Sequence, residues 1–335
     1  MSRFHLDDLI EATSGTVISC HQELFDGVGS DTRQKLDHQL FVALKGDQFD
    51  AHQFLTKAQE QGAAGLLVHQ LPKDIEELKS KITIVQVRDT LLALQDLANY
   101  QRNKSKAKII GIAGSNGKTT SKEFCAALLS AFKNVHYSKG SFNNHWGVPF
   151  TLLAQPEDAE VSVVEMGMNH ENELARLAEI AEPDIVVCTY VGVEHIEYFG
   201  NLENIAKAEE EIYNHSPSNS LRIYNLDNQY TRKMYEKAKE KFICSKFLTF
   251  SENQNTDVQL QIKSSSMTEI HVQGKIQNIS GEAIVPVFGK HNLTNLMTAA
   301  SVALALGISP QEIWQALPRC QTNWGRNQLV QTESG

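Results

Sequence analysis

Lys108-Ile-Ile-Gly-Ile-Ala-Gly-Ser-Asn-Gly-Lys-Thr-Thr120 decides how this chain is read. An apolar run leads into a glycine turn, and the turn leads into a helix start. Gly114 and Gly117 let the backbone fold tightly, so that its N–H groups face anionic oxygens. The helix beginning near Lys118 adds its positive N-terminal end. Lys118 then reaches terminal phosphates, and the Thr119 hydroxyl suits Mg²⁺. The stretch Gly114, Ser115, Asn116, Gly117, Lys118, Thr119 and Thr120 is therefore a phosphate cradle. Strict P-loop spacing demands glycine at position 112, where Ile112 stands; Gly111 comes one residue too early. The competing reading is an ordinary strand–turn–helix corner. Against it, the helix that follows sets Phe124, Ala127, Leu128 and Ala131 on one face.

Outward from this stretch, the 335 residues suggest two domains, with 1–105 and 106–335 as the division. A net charge of −9 argues against a general nucleic-acid or anionic-membrane binder. No run is long and apolar enough to insert in a membrane, and the amino terminus has no apolar signal region, so the chain reads as cytoplasmic. Cys20, Cys125, Cys188, Cys244 and Cys320 are scattered without a C-x-x-C pair, which suggests neither zinc nor disulfides. Cys125 and Cys188 fall in apolar patterns and read as core thiols.

The first domain reads as a small α/β unit. Leu40–Leu44, Gly65–Val68 and Ile82–Val87 are expected strands, and 53–61 and 90–100 expected helices. The polar stretch 101–106 is the expected linker. Beyond it, strands and helices alternate as in an open, mostly parallel sheet with flanking helices, and 258–287 changes to antiparallel hairpins. The helix expected over 293–306 stops at Gly307.

In open α/β sheets, ligands of a bound metal sit at the carboxyl ends of strands. Glu165 ends one expected strand and His195 follows the next, which makes both candidates near Mg²⁺. A surface carboxylate and a loop histidine are the plainer readings. Asn143 and Asn144 offer amides to a polar substrate, or form a turn. Asn292 and Asn295 stand at a helix start, where an amide reads an adenine edge or caps the helix. Glu209-Glu-Glu211 reads by itself as a solvated helix face.

Together these segments resemble the Mur ligase family of peptidoglycan precursor synthesis. The family's nucleotide loop departs from strict P-loop spacing in the way Gly114–Thr120 does. Ser30-Asp-Thr-Arg33, Leu40–Gly46 and Asp50-Ala-His52 are similar to its UDP-binding first domain. Asn143–Leu153, Val164–His170, Glu194–Gly200 and Gly289–Asn295 favour the members that attach D-alanyl-D-alanine.

The resemblance implies ATP-dependent ligation of D-alanyl-D-alanine to UDP-N-acetylmuramoyl-tripeptide through an acyl phosphate. It implies Lys118 on the phosphates, with Thr119, Glu165, His195 and Glu209 as metal ligands. Asn292 and Asn295 would lie near adenine. Ser30, Asp31, Arg33, Lys45, Gly46, Asn143 and Asn144 would hold the UDP-sugar. Lys118, His195, Glu209 and Arg326 are the implied catalytic residues.

Two departures stand out. Glu209 falls where the family carries a lysine that is carbamylated into a carboxylate, and it is expected to supply that carboxylate directly. Trp324-Gly-Arg326 resembles the end of the family's central domain, so the Rossmann-like closing domain is expected to be absent from this chain, cut away or encoded separately. Little ligase activity is then expected of the chain alone. Two other readings are a ligase that adds a single amino acid, and a silent UDP-sugar-binding relative.

Overall fold

The computed structural model describes residues 3–46, 48–72, 75–242 and 246–321. The chain divides into two compact units. One comprises residues 1–106 with 145–158, and the other 107–144 with 159–335.

The first unit contains β1 (Phe4–His5), α1 (Leu6–Thr13), β2 (Thr16–Ser19), β3 (Leu24–Phe25), β4 (Val28–Gly29), β5 (Leu40–Val42), α2 (Leu55–Glu60), β6 (Gly65–Val68), α3 (Ile75–Lys79), β7 (Thr83–Gln86) and α4 (Thr90–Lys104). Its five-stranded sheet has the order β2-β7-β6-β5-β4 and is parallel except for β2. Phe41, Val42, Leu66, Leu67 and Val68 are fully buried, as strands covered on both faces require. Helix α4 runs on through the expected linker as far as Lys104. Asp89 caps its start by accepting from the N–H groups of Leu91 and Leu92. Arg102 and Lys104 suit the negative end of the helix dipole, and Lys104 pairs with Asp8. Polarity marked this stretch as a linker, but here it belongs to a solvated last turn.

The second unit opens with β8 (Lys108–Ala113), α5 (Lys118–Leu129) and β9 (Val135–Tyr137). Helix α6 (Gly147–Leu153) then packs on α4 as part of the first unit, where Val148, Leu152 and Leu153 are buried. The second unit resumes with β10 (Val161–Glu165), α7 (Glu173–Ala181), β11 (Ile185–Cys188), α8 (Ile196–Phe199), α9 (Leu202–His215), β12 (Leu221–Asn225), α10 (Gln229–Lys241), β13 (Phe247–Phe250), β14 (Val258–Ser265), β15 (Ile270–Ile276), β16 (Ile279–Val285), α11 (Asn292–Ala305) and α12 (Pro310–Ala316).

Its nine-stranded sheet has the order β16-β15-β14-β13-β12-β11-β8-β10-β9. Pairing is parallel from β9 through β14, and β14–β16 form an antiparallel meander. From β8 the chain moves out to β9, returns to β10, and then crosses to β11 on the other side. The reversal opens a crevice at the carboxyl ends of β8, β10 and β11.

Gly111 proves to be a packing residue inside β8. A Cβ there would lie 3.3 Å from Met166 Cε and 3.4 Å from Ile212 Cδ1. Helix α5 buries more than the one face its periodicity suggested. Phe124, Cys125, Leu128 and Leu129 are all fully enclosed, because α11 packs on α5 in the same apolar cluster. Cys188 is likewise a buried free thiol.

Candidate active site

The phosphate turn takes the backbone conformation its glycines allow, with φ of 124° at Gly114 and 82° at Gly117. Those values belong to the left-handed side, where a Cβ is strained. Space forbids one as well: at Gly114 it would lie 2.3 Å from Thr189 Oγ1, and at Gly117 2.5 Å from Asn295 Oδ1. The Ser115 N–H donates to the Tyr190 carbonyl at 2.7 Å, and the Thr189 hydroxyl donates to the Asn116 carbonyl at 2.6 Å. The turn is thus clamped to the segment leaving β11. Lys118 Nζ donates to the Gly114 carbonyl at 2.6 Å and pairs with Glu194 at 3.0 Å.

Glu165, at the end of β10, lies beside this turn and is 1% exposed. Its Oε1 accepts from the Thr119 hydroxyl at 3.1 Å and from the Asn143 amide at 2.9 Å. Its backbone N–H donates to the Ser138 hydroxyl at 3.1 Å. Its Oε2 accepts no hydrogen bond but lies 3.4 Å from Lys122 Nζ. Lys122 is itself fully buried and donates to the Gly140 carbonyl. The Asn143 carbonyl accepts from the Gly167 N–H at 2.7 Å.

A second group gathers around Glu194. His195 Nε2 lies 3.6 Å from Glu194 Oε1, and His195 has a left-handed φ of 53° ahead of α8. Glu209, on α9, is 2% exposed, so it is not part of a solvated face. Burial pushes its carboxyl up to about 7. Lys118 and hydrogen bonds from the Gly114 N–H and the Ser115 hydroxyl oppose that rise, and Glu194 adds to it. Cys188 Sγ is 3.9 Å from Glu209 Oε2. His195, Glu194 and Glu209 therefore belong to the Lys118 side of the turn.

Asn292 and Asn295 do not extend outward. Asn292 is the first residue of α11 and does not cap it; its amide donates to the Phe288 carbonyl at 2.8 Å. Asn295 donates to Asn292 at 3.0 Å and accepts from the Ser121 hydroxyl at 3.0 Å. Both are buried, and together they back the phosphate turn.

In the first unit, β4 pairs in parallel with β5, so Ser30–Arg33 and Lys45–Gly46 leave the carboxyl ends of neighbouring strands. Asp31 and Arg33 form a two-point ion pair, with Arg33 Nη2 2.8 Å from Oδ2 and Nε 2.9 Å from Oδ1. The bond from the Arg33 side chain holds the Asp31 carboxyl down to about 2. The Arg33 side chain is 84% exposed. The backbones of Lys45 and Asp50 form an isolated antiparallel bridge, and the Asp50 carboxylate accepts from His52 Nδ1 at 2.7 Å.

Two site residues escaped the sequence reading. Glu194 had no role of its own, although it precedes His195. Lys122 stands one helical turn after Lys118 on a buried face, and that spacing was the available signal.

The Mur ligase middle domain model matches residues 112–303. The UDP-N-acetylmuramoyl-tripeptide–D-alanyl-D-alanine ligase of Bacillus subtilis is 35% identical over 330 residues, which are 98% of this chain and 69% of that protein. The chain belongs to the Mur ligase family. The Escherichia coli relative of the same description is 33% identical over 90% of this Mur ligase chain and 65% of its own. The chain thus spans about two thirds of the length of these curated relatives. A crystal structure of MurF from Acinetobacter baumannii superposes with a TM-score of 0.89 at 29% identity, covering 99% of this chain and 72% of that one. MurF from Thermotoga maritima in complex with ADP shares the fold, with a TM-score of 0.74 at 23% identity over 92% of this chain and 69% of that one. Within this Mur ligase, Arg326 lies outside the described residues.

Proposed function

We propose that this chain carries the nucleotide and UDP-sugar sites of a cytoplasmic, ATP-dependent ligase that joins D-alanyl-D-alanine to UDP-N-acetylmuramoyl-tripeptide. The supporting observation is the convergence, at the carboxyl ends of β8, β10 and β11, of the phosphate turn, the Thr119–Glu165 pair and the Glu194–His195–Glu209 group. The relatives' descriptions supply the substrates.

Mg²⁺ suits this site. Thr119 and Glu165 offer hard oxygen donors, and Glu165 Oε1 is the buried oxygen turned to the Thr119 hydroxyl. Among the described residues no three His, Cys, Asp or Glu side chains form a ready cage. A cation that shares its shell with nucleotide phosphates needs none. Thr119 and Glu165 would hold one Mg²⁺, and His195 with Glu209 would support a second. Bound there, the metal would supply neutralising charge for the transferring phosphoryl group.

The chain's own groups do the rest. The N–H groups of the turn and the N-terminus of α5 bind phosphate oxygens. Lys118 exchanges Glu194 for the terminal phosphate and stabilises charge as it moves toward the substrate carboxylate. The resulting acyl phosphate has a good leaving group, and the amine of the dipeptide displaces it. Glu209 supplies the carboxylate that other family members obtain by carbamylation. Arg33, Lys45 and the backbone at Ser30 and Gly46 bind the diphosphate and sugar of the substrate. Asn143, whose amide donates to Glu165 Oε1, holds that carboxylate in place. Asn292 and Asn295 buttress the turn beside the adenine.

Phosphate release from ATP tests the proposal. It is measured with the tripeptide precursor and D-alanyl-D-alanine, with and without the remaining portion of a relative added in trans. Release that requires both substrates is expected once that portion is present. Release with the dipeptide precursor and a single amino acid instead would move the protein to the other branch. No release in any mixture would refute a ligase.

A further inference from the structure

We propose that Lys122 is a built-in counter-charge that closes the Thr119–Glu165 position to free divalent cations and admits a cation already bearing nucleotide phosphates. The proposal rests on the reading of this position as the Mg²⁺-nucleotide site.

The two lysines of α5 differ in freedom. The Lys118 side chain is 13% exposed, sits at the mouth of the turn and pairs with Glu194. The Lys122 side chain is fully enclosed, with its ammonium tied to the Gly140 carbonyl and 3.4 Å from Glu165 Oε2. A phosphate can draw Lys118 away from its carboxylate. Lys122 is instead enclosed beside Glu165 and tied to a backbone carbonyl.

The charge count then decides what binds. The Lys122 ammonium offsets the Glu165 carboxylate. A bare divalent ion would give up hydration water to face a fixed positive charge, and repulsion between buried like charges is poorly screened. The donors here are one hydroxyl and one carboxylate, and no ready cage of acidic or imidazole side chains exists among the described residues. Phosphate oxygens supply the missing negative charge. Lys122 also holds Gly140, three residues before Asn143, whose amide shares Oε1 with Thr119. The ammonium therefore keeps the second oxygen occupied electrostatically and leaves Oε1 as the face turned to the phosphate turn.

The test titrates Mn²⁺ into the full 335-residue chain and follows the free-ion electron paramagnetic signal, with and without ADP. In the wild type, ADP is expected to tighten Mn²⁺ binding at least tenfold beyond its own affinity for the ion. Lys122→Met should bind Mn²⁺ alone at least tenfold tighter than wild type. Adding Glu165→Gln to that variant should abolish the gain, and Lys122→Arg should behave as wild type. Equal or weaker binding by a folded Lys122→Met overturns the proposal. If that variant does not fold, wild-type Mn²⁺ binding that is equally tight with and without ADP overturns it instead. A wild type that binds no ADP with any cation would sink the nucleotide reading itself. ADP binding with unchanged Lys122→Met behaviour would sink this inference alone.

Discussion

Replacing Glu209 by glutamine should make the protein more stable above neutral pH while impairing its chemistry. The Glu209 carboxyl is 2% exposed and is pushed up to about 7 from an ordinary value of 4.5. A raised carboxyl pKa means that the folded state holds its proton over a range where the unfolded chain has released it. The stability this proton carries is fully present below about pH 4.5, falls as pH rises through 7, and is flat above. At about 1.4 kcal/mol per unit, the fall between pH 5 and pH 8 is roughly 2–3 kcal/mol. Glutamine has no proton to lose, so the gap between Glu209→Gln and wild type should open by that amount over the same interval. Calorimetric melting at the two pH values measures it. On the scale of about 2–4 °C per kcal/mol for a domain of this size, the relative shift is roughly 5–10 °C. The same difference in Tm at pH 5 and pH 8 would refute the reasoning, because it would mean that Glu209 does not titrate from a buried, desolvated state.

Other outcomes follow from the same geometry. Wild-type ligation, assayed with the remaining portion of a relative added in trans, should be indifferent to bicarbonate. Glu209→Lys should become bicarbonate-dependent, and strong stimulation of the wild type would remove the role given to Glu209. Gly114→Ala places a methyl 2.3 Å from Thr189 Oγ1 at a φ of 124°, so ADP affinity measured by calorimetry should fall at least about tenfold. Arg222 is fully buried and donates to the carbonyls of Tyr213, Ser216, Pro217, Ser218 and Ser220, closing the end of α9. Arg222→Met strands those acceptors and should cost about 3–5 kcal/mol in urea unfolding, without changing the pH profile set by Glu209.

The parts of the fold that declare themselves in sequence are those whose burial is local. The apolar run of β8 and the left-handed glycines after it are visible because strand, turn and helix start lie within thirteen consecutive residues. Glu165 at the end of β10 and His195 beyond β11 are placed by the apolar runs that precede them. Elements that leave little periodic trace are harder to read. Strands β3 and β4 have two residues each, and α10 is so rich in charge that its apolar stripe is thin. Helix α6 hides behind Pro149, which is tolerated in a first turn. Ser309-Pro-Gln-Glu312 is a complete capping-box signature that periodicity alone does not register. Lys122 lay deepest of all, since a lysine is read as solvated until its carboxylate partner is known.

The excursion of residues 145–158 into the first unit has a consequence for how this protein can be taken apart. The chain passes between its units three times, at 106/107, 144/145 and 158/159. A single cut after residue 106 would leave the first unit without α6 and its buried Val148, Leu152 and Leu153. The unit read as the UDP-sugar module is therefore not a cassette that a simple gene fusion could append or delete.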